Sequence, residues 1–323
     1  MNHSISNKLI NKKIDFNTLG LAIIIIVLII GFSLATPYFL TVNNVITIMF
    51  SVSVIGIAAV AQTMLVISGG IDLSQESVIA ATGITIAIVD QAGMTLGVSL
   101  ITGIFVGIIT GLINGLLVTK ARINPLITTL GMMGIVKGYS ALLSNDEVIP
   151  IQNDSLKFLA RGFKVSDDVN LPLFIIILIA LFLIFQYLLS NTIFGRRIYA
   201  IGGSPQAALC SGINVDVVRI IIYIISGTLA AFSGIVYTSI TGMGYAYATD
   251  GYIINILASV FLGGTLLGGG RGKIHGTFLG ILIIGIINNG LTNLGVTAHL
   301  KEVVIGIILI ITLTLSQLKE KRE

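Results

Sequence analysis

Asp72 and Glu76 stand four residues apart, one helical turn, in a stretch with few other charges. Carboxylates at that spacing lie on one helix face, where they can act as a gate. Ionisable groups inside a membrane mark functional positions by default. Asp72-Leu73-Ser74 also reads as a helix start, with Asp or Ser as cap and Glu76 as an acid in the first turn. The residues alone leave both readings open for Asp72, Ser74 and Glu76: a cap at the inner end of a span, or a gate. A second group is uncharged: Gln62, Asn114, Asn255, Asn288 and Asn289 interrupt apolar runs. Such amides can pass a neutral polar cargo by weak hydrogen bonds, or they can bond helices to one another.

Other chemistry is excluded. Gly272-Lys273 is followed by Ile274, and the residue five before Gly272 is Leu267, so there is no phosphate-binding loop and no expected ATP hydrolysis by this chain. One cysteine, Cys210, rules out an intrachain disulfide or a cysteine metal cluster. His3, His275 and His299 show no ligand spacing, so no metal site is expected. No nucleophile–base pair is evident, and no catalytic residue is assigned.

A third pattern lies in a polar segment, 191–216. Arg196-Arg197 is followed by Gly202-Gly203-Ser204-Pro205-Gln206-Ala207-Ala208, and then Ser211-Gly212. Ser204 is a cap, Pro205 suits the first helical position and Gly212 is a natural stop. The spacing predicts a helix of about two turns over 205–211. It is too short to span a membrane and marginal alone, so it packs against a bilayer surface or a partner.

The elements that must position these groups follow from composition. Of 323 residues, 55% are hydrophobic and 10% charged, and mean hydropathy is +1.03. Soluble domains carry about 25% charged residues. A soluble enzyme, a disordered chain and a nucleic-acid binder are therefore excluded, and an all-α polytopic membrane bundle remains. The net charge of +4 reflects Lys and Arg collecting on the cytoplasmic side. Ten spans are expected: 19–35, 44–67, 74–90, 94–119, 125–144, 171–190, 217–241, 252–268, 274–292 and 301–317. The short or Gly-interrupted 74–90 and 252–268 are the weakest. The first run is longer than a signal core and lacks a cleavage site, so it reads as a span.

Ten spans place 13 of the 18 Lys and Arg on one side. This makes both termini cytoplasmic, with tails 1–18 and 318–323, and puts loop 145–170 outside. The chain reads as one transmembrane domain, 1–323. Gly103, Gly107 and Gly111 recur every four residues and predict a close-packed helix face. A weak echo links Ser68-Gly69-Gly70 with Leu262-Gly263-Gly264, suggesting two related halves.

Several segments together resemble the ribose-type ABC sugar permeases. They are Gly202–Ala208 with Ser211-Gly212-Ile213-Asn214, Gly69-Gly70-Ile71-Asp72-Leu73-Ser74, Thr129-Leu130-Gly131-Met132-Met133, Leu262-Gly263-Gly264-Thr265, Gly268–Gly272, and Asn288-Asn289-Gly290-Leu291. The ordered set covers about residues 20–317.

The resemblance implies a permease subunit in the bacterial cytoplasmic membrane. It implies a second permease chain, identical or sister, cytoplasmic ATPase subunits that hold ATP and Mg, and an extracytoplasmic sugar-binding protein. Helix 205–211 would then be the coupling element, with Arg196, Arg197, Gly203, Ser204, Gln206, Ala207, Ala208, Ser211 and Gly212. Asp72 or Glu76 would cap a helix or touch the ATPase. The chain itself would bind no cofactor. Ser204, Lys137, Gln75-Glu76 and Gly251–Asn255 depart from the family pattern, which bears on cargo. Ribose or a related sugar leads. Another pentose, a furanosyl signal such as autoinducer-2, or a nucleoside are alternatives. An ion-coupled transporter acting alone is disfavoured by the few ionisable residues within spans.

Overall fold

The computed structural model describes residues 16–166 and 169–320. Lys8, Lys12, Lys13, Asp167, Asp168, Lys321 and Arg322 lie outside that range. In chain order the elements are α1 Phe16–Ala35, α2 Val42–Ile67, α3 Gln75–Gln91, α4 Leu96–Thr119, α5 Pro125–Ser144, β1 Ile149–Pro150, α6 Asp154–Arg161, β2 Phe163–Ser166 and β3 Val169–Leu171. They continue as α7 Leu173–Asn191, α8 Ile193–Gly203, α9 Pro205–Cys210, α10 Val215–Thr241, β4 Met243–Gly244, α11 Tyr252–Leu262, α12 Ile274–Asn293 and α13 Ala298–Glu320. The molecule is a helical membrane bundle, as its composition requires.

Among the described residues, seven helices are long and apolar enough to cross a bilayer: α1, α2, α4, α5, α7, α10 and α12. The expected ten are not all of this kind. α3 has 17 residues, and α11 has 11. Eleven residues rise about 16 Å, roughly half the hydrocarbon thickness. The run expected at 252–268 is therefore half a span, stopped where Gly263 and Gly264 end the helix.

α2 and α10 form the centre. Every residue of α2 from Val52 to Ile67 is buried, and α10 packs on α4, α2 and α3. Leu34, Phe105, Ile135, Leu183 and Ile310 stay exposed on α1, α4, α5, α7 and α13, forming the apolar belt that lipid covers.

Along α4, the glycines behave as their period predicts. A Cβ at Gly107 would collide with the Gly227 carbonyl, one at Gly111 with the Tyr223 carbonyl, and one at Gly227 with the Gly107 carbonyl. α4 and α10 therefore touch backbone to backbone.

The two ends differ. Lys120, Arg196, Arg197 and Arg219 lie at one, the basic end, where Lys120 Nζ meets Asp216 Oδ2 at 3.0 Å. At the other, β1 pairs with β4 in the register Ile149 with Gly244. The 145–170 segment is more than a loop: α6 and the β2–β3 hairpin fold over that end, and Leu156 is buried. Asp90 Oδ2 holds the segment by accepting from Gln152 N at 2.6 Å and Asn153 N at 3.1 Å.

The internal echo has a structural basis. α2 ends with Gly69 N bonded to Val66 O and Gly70 N to Leu65 O. α11 ends identically, with Gly264 N on Phe261 O and Thr265 N on Val260 O. Gly69 and Gly264 take φ values of 78° and 86°, so each is the left-handed glycine of the same helix stop.

Candidate functional site

Residues 68–74 turn back into the bundle after α2 ends. Gln75 Nε2 then donates to Ala58 O at 3.2 Å and to Ser226 Oγ at 2.9 Å. Ala58 lies nine residues before the end of α2, and Ser226 eleven after the start of α10. At 1.5 Å per residue, α3 begins about 14–17 Å inside the bundle. It runs from there to the far end, where Gln91 Nε2 reaches Pro150 O.

α11 begins at the same depth and runs the opposite way. Its amide Ile253 N donates to Glu76 Oε2 at 3.1 Å, while Thr249 Oγ1 donates to Glu76 O at 2.7 Å. Two half-helices thus start beside each other, each with its positive N-terminal end facing inward.

This explains both acids. Asp72 Oδ1 accepts from Ser74 N at 2.9 Å and Ser74 Oγ at 2.6 Å, while Oδ2 accepts from Ser226 Oγ at 2.7 Å. Asp72 therefore fixes Ser74, the residue at which α3 starts, through its backbone amide and its hydroxyl. Glu76, four residues on, serves the start of α11 instead. Neither lies at the basic end where the sequence placed them: they are fully and nearly fully buried at mid-bundle. The position was misread because 68–74 re-enters instead of ending a span, which hydropathy does not encode.

Donors converge on Asp72 in two chains. Asn114 Nδ2 gives to Ser74 Oγ at 2.9 Å and Ser74 gives to Asp72; Gln75 gives to Ser226 and Ser226 gives to Asp72. Gln75 and Ser226 were not anticipated, because their roles depend on a contact 151 residues apart. We expect Asp72→Ala to cost about 3 kcal/mol, since it strands three buried donors. Thermal unfolding of the purified permease in detergent checks this. Asp72→Asn, which keeps an acceptor oxygen, should lose less.

The amides divide. Asn114 belongs to the Asp72 network. Asn289 exchanges reciprocal 2.9 Å bonds with Asn44 of α2, and Asn293 joins them. Asn288 Nδ2 donates to Asn255 Oδ1 at 2.9 Å, tying α12 to α11. Gln62 is fully buried, and neither of its amide atoms is bonded to protein. Asn114, Asn255, Asn288 and Asn289 thus bond across helix contacts, and Gln62 does not.

At the basic end the short helix forms where expected. Ser204 Oγ accepts from Ala207 N at 3.2 Å, Pro205 opens α9, Ser211 Oγ donates to Ala207 O at 2.9 Å, and Gly212 takes φ 79°. Gln206, Ala207 and Leu209 are exposed, whereas Ala208 is buried. Arg196 and Arg197 are not in a loop but on α8, exposed, with Gly203 as its last residue.

Gly202 is the tight position. A Cβ there would collide with Ile67 O and the Gly270 amide, and Gly270 N itself donates to Ile67 O at 2.8 Å. Tyr199 adds a 2.7 Å bond to Gly272 O, and burial raises its phenol, keeping it a donor at physiological pH. The base of α9 is thereby joined to the end of α2 and to the segment entering α12.

Comparison with known proteins now decides the family. Residues 44–313 match the family described as branched-chain amino acid transport system / permease component. The chain belongs to that family of ABC permeases. The permease is 38% identical over 307 residues to the probable ABC transporter permease protein YphD of Escherichia coli (strain K12), covering 95% of this chain and 91% of that one. It is 37% identical over 314 residues to the ribose import permease protein RbsC of Bacillus subtilis (strain 168), covering 95% and 96%. It is 36% identical over 302 residues to the L-arabinose transport system permease protein AraH of Escherichia coli (strain K12), covering 94% and 91%. No solved structure matches. As a permease subunit it is not itself an enzyme, and ATP hydrolysis belongs to a separate subunit. Among the described residues no group of His, Cys, Asp and Glu could hold a metal ion.

Proposed function

We propose that the chain is the permease of an ATP-driven importer that carries ribose or a closely related pentose across the bacterial cytoplasmic membrane. The observation that carries the cargo reading is near full-length identity of 36–37% to permeases named for ribose and L-arabinose. The family description names branched-chain amino acids, whereas these two near full-length relatives are named for ribose and L-arabinose.

The basic end faces the cytoplasm, and both termini lie there. α9 is the coupling helix: it presents Gln206, Ala207 and Leu209 to a cleft in the ATPase, with Arg196 and Arg197 beside it on α8. ATP and Mg reside in that ATPase. The folded 145–170 segment receives the extracytoplasmic binding protein. A second permease, identical or sister, completes the path.

Expressed with its ATPase and binding protein in a host lacking pentose importers, the permease should restore ribose uptake in preference to L-arabinose. Uptake of neither sugar would overturn the cargo reading.

A further inference from the structure

Lys137 lies on α5, twelve residues from its first residue and seven from its last. Its Nζ meets Asp250 Oδ1 at 2.7 Å and Oδ2 at 2.8 Å. Asp250 lies two residues before α11 begins, so the pair sits near the depth where the two half-helices begin. Yet it is not enclosed: the side chains are 31% and 51% exposed. Tyr247 covers the ammonium, its ring centroid 5.0 Å from Nζ, and its hydroxyl donates to Asp146 Oδ1 at 2.9 Å. Tyr245 meets the Tyr247 ring edge-on at 5.5 Å.

An open ion pair at this depth is incompatible with lipid contact, because charge within the hydrocarbon is costly. The wall that carries it must therefore face water or protein. Its chemistry also points to a ligand. A carboxylate accepts from adjacent hydroxyls, an ammonium donates to them, and a tyrosine ring packs on the apolar C–H face of a sugar. Four of the five amides expected to play this part are bonded across helix contacts and Gln62 is fully buried, whereas this cluster is polar and exposed.

We propose that Lys137, Asp250 and Tyr247 form a contact site for a polyhydroxylated sugar on the water-facing wall of the translocation path. This rests on the sugar-permease reading above.

The test uses the assembled importer in proteoliposomes. Cys210→Ser removes the one native thiol, and Asp250→Cys, Tyr247→Cys or, as a lipid-facing control, Leu183→Cys is then introduced. A membrane-impermeant cationic methanethiosulfonate should modify the first two at least tenfold faster than the control. Saturating ribose, delivered by the binding protein with ATP, should slow that modification at least threefold. Lys137→Met should lower ribose uptake at least fivefold at equal permease abundance. Reaction no faster than at Leu183→Cys would overturn the water-facing wall. Fast reaction without sugar protection, together with normal uptake by Lys137→Met, would overturn the sugar contact. A wild-type importer that carries no pentose would defeat the cargo reading, and the reactivity result separates that failure from a failure of the path.

Discussion

Gly107→Val should remove almost all folded permease from the membrane. The new side chain has nowhere to go: its Cβ alone would overlap the Gly227 carbonyl and crowd the Ala231 Cβ. The obstacle is backbone, so no rotamer change relieves it, and α4 must lift away from α10. That separation spreads along the seam, because Gly111 against Tyr223 and Gly115 against Ile220 close the same contact. α10 is also the helix that supplies Ser226 to Asp72, so a shift opens the buried network as well. We expect a loss of about 4 kcal/mol or more, at the extreme of single substitutions. Fluorescence-detected size exclusion of tagged permease would show collapse of the monodisperse peak. Gly131→Val is the control, since nothing lies within 4 Å of a Cβ there. Equal peaks for Gly107→Val and wild type would refute the backbone contact.

The second large effect is functional. Ala207→Trp and Leu209→Asp should each abolish substrate-stimulated ATP hydrolysis in the assembled importer while leaving the permease folded. Ala207 is exposed, and Leu209 is 64% exposed although apolar, which suits an anchor entering a partner's cleft. Tryptophan would fill the space the cleft must close upon, and aspartate would place an unpaired charge in it. Neither side chain contributes to the core, so abundance should hold. Charge reversal of Arg196 and Arg197 should act in the same direction. Stimulation within twofold of wild type in all three would sink the coupling role of α9. Movement at α9 has a mechanical outlet: Gly202 and Gly270 join its base to the end of α2, from which the re-entrant segment leads to Asp72.

Much of this was legible in the residues. The cap, proline and glycine that bound α9 are local devices, and local devices can be read locally. So can the four-residue glycine period of α4. The half-helices were not legible in this way. Residues 252–268 are apolar on average, and hydropathy does not register that Gly264 turns the chain after eleven helical residues. Glu76 was assigned to its own helix because sequence spacing cannot show that another helix, 177 residues away, begins against it. The amides were left open between two roles for a related reason. Asn289 in an apolar run is equally suited to a sugar or to a second amide, and only the position of Asn44 across the interface decides. Lys137 was read only as a departure from the family pattern, because its pairing with Asp250, 113 residues away, is not visible in the sequence.

The central claim, ATP-driven import through this bundle, is tested most directly by radiolabelled ribose uptake into proteoliposomes of defined composition. With permease, ATPase, binding protein and enclosed ATP, uptake should be rapid and should stop when any one of them is omitted. The permease alone under a proton or sodium gradient should give only the background of empty vesicles. Gradient-driven uptake by the permease alone would contradict the account.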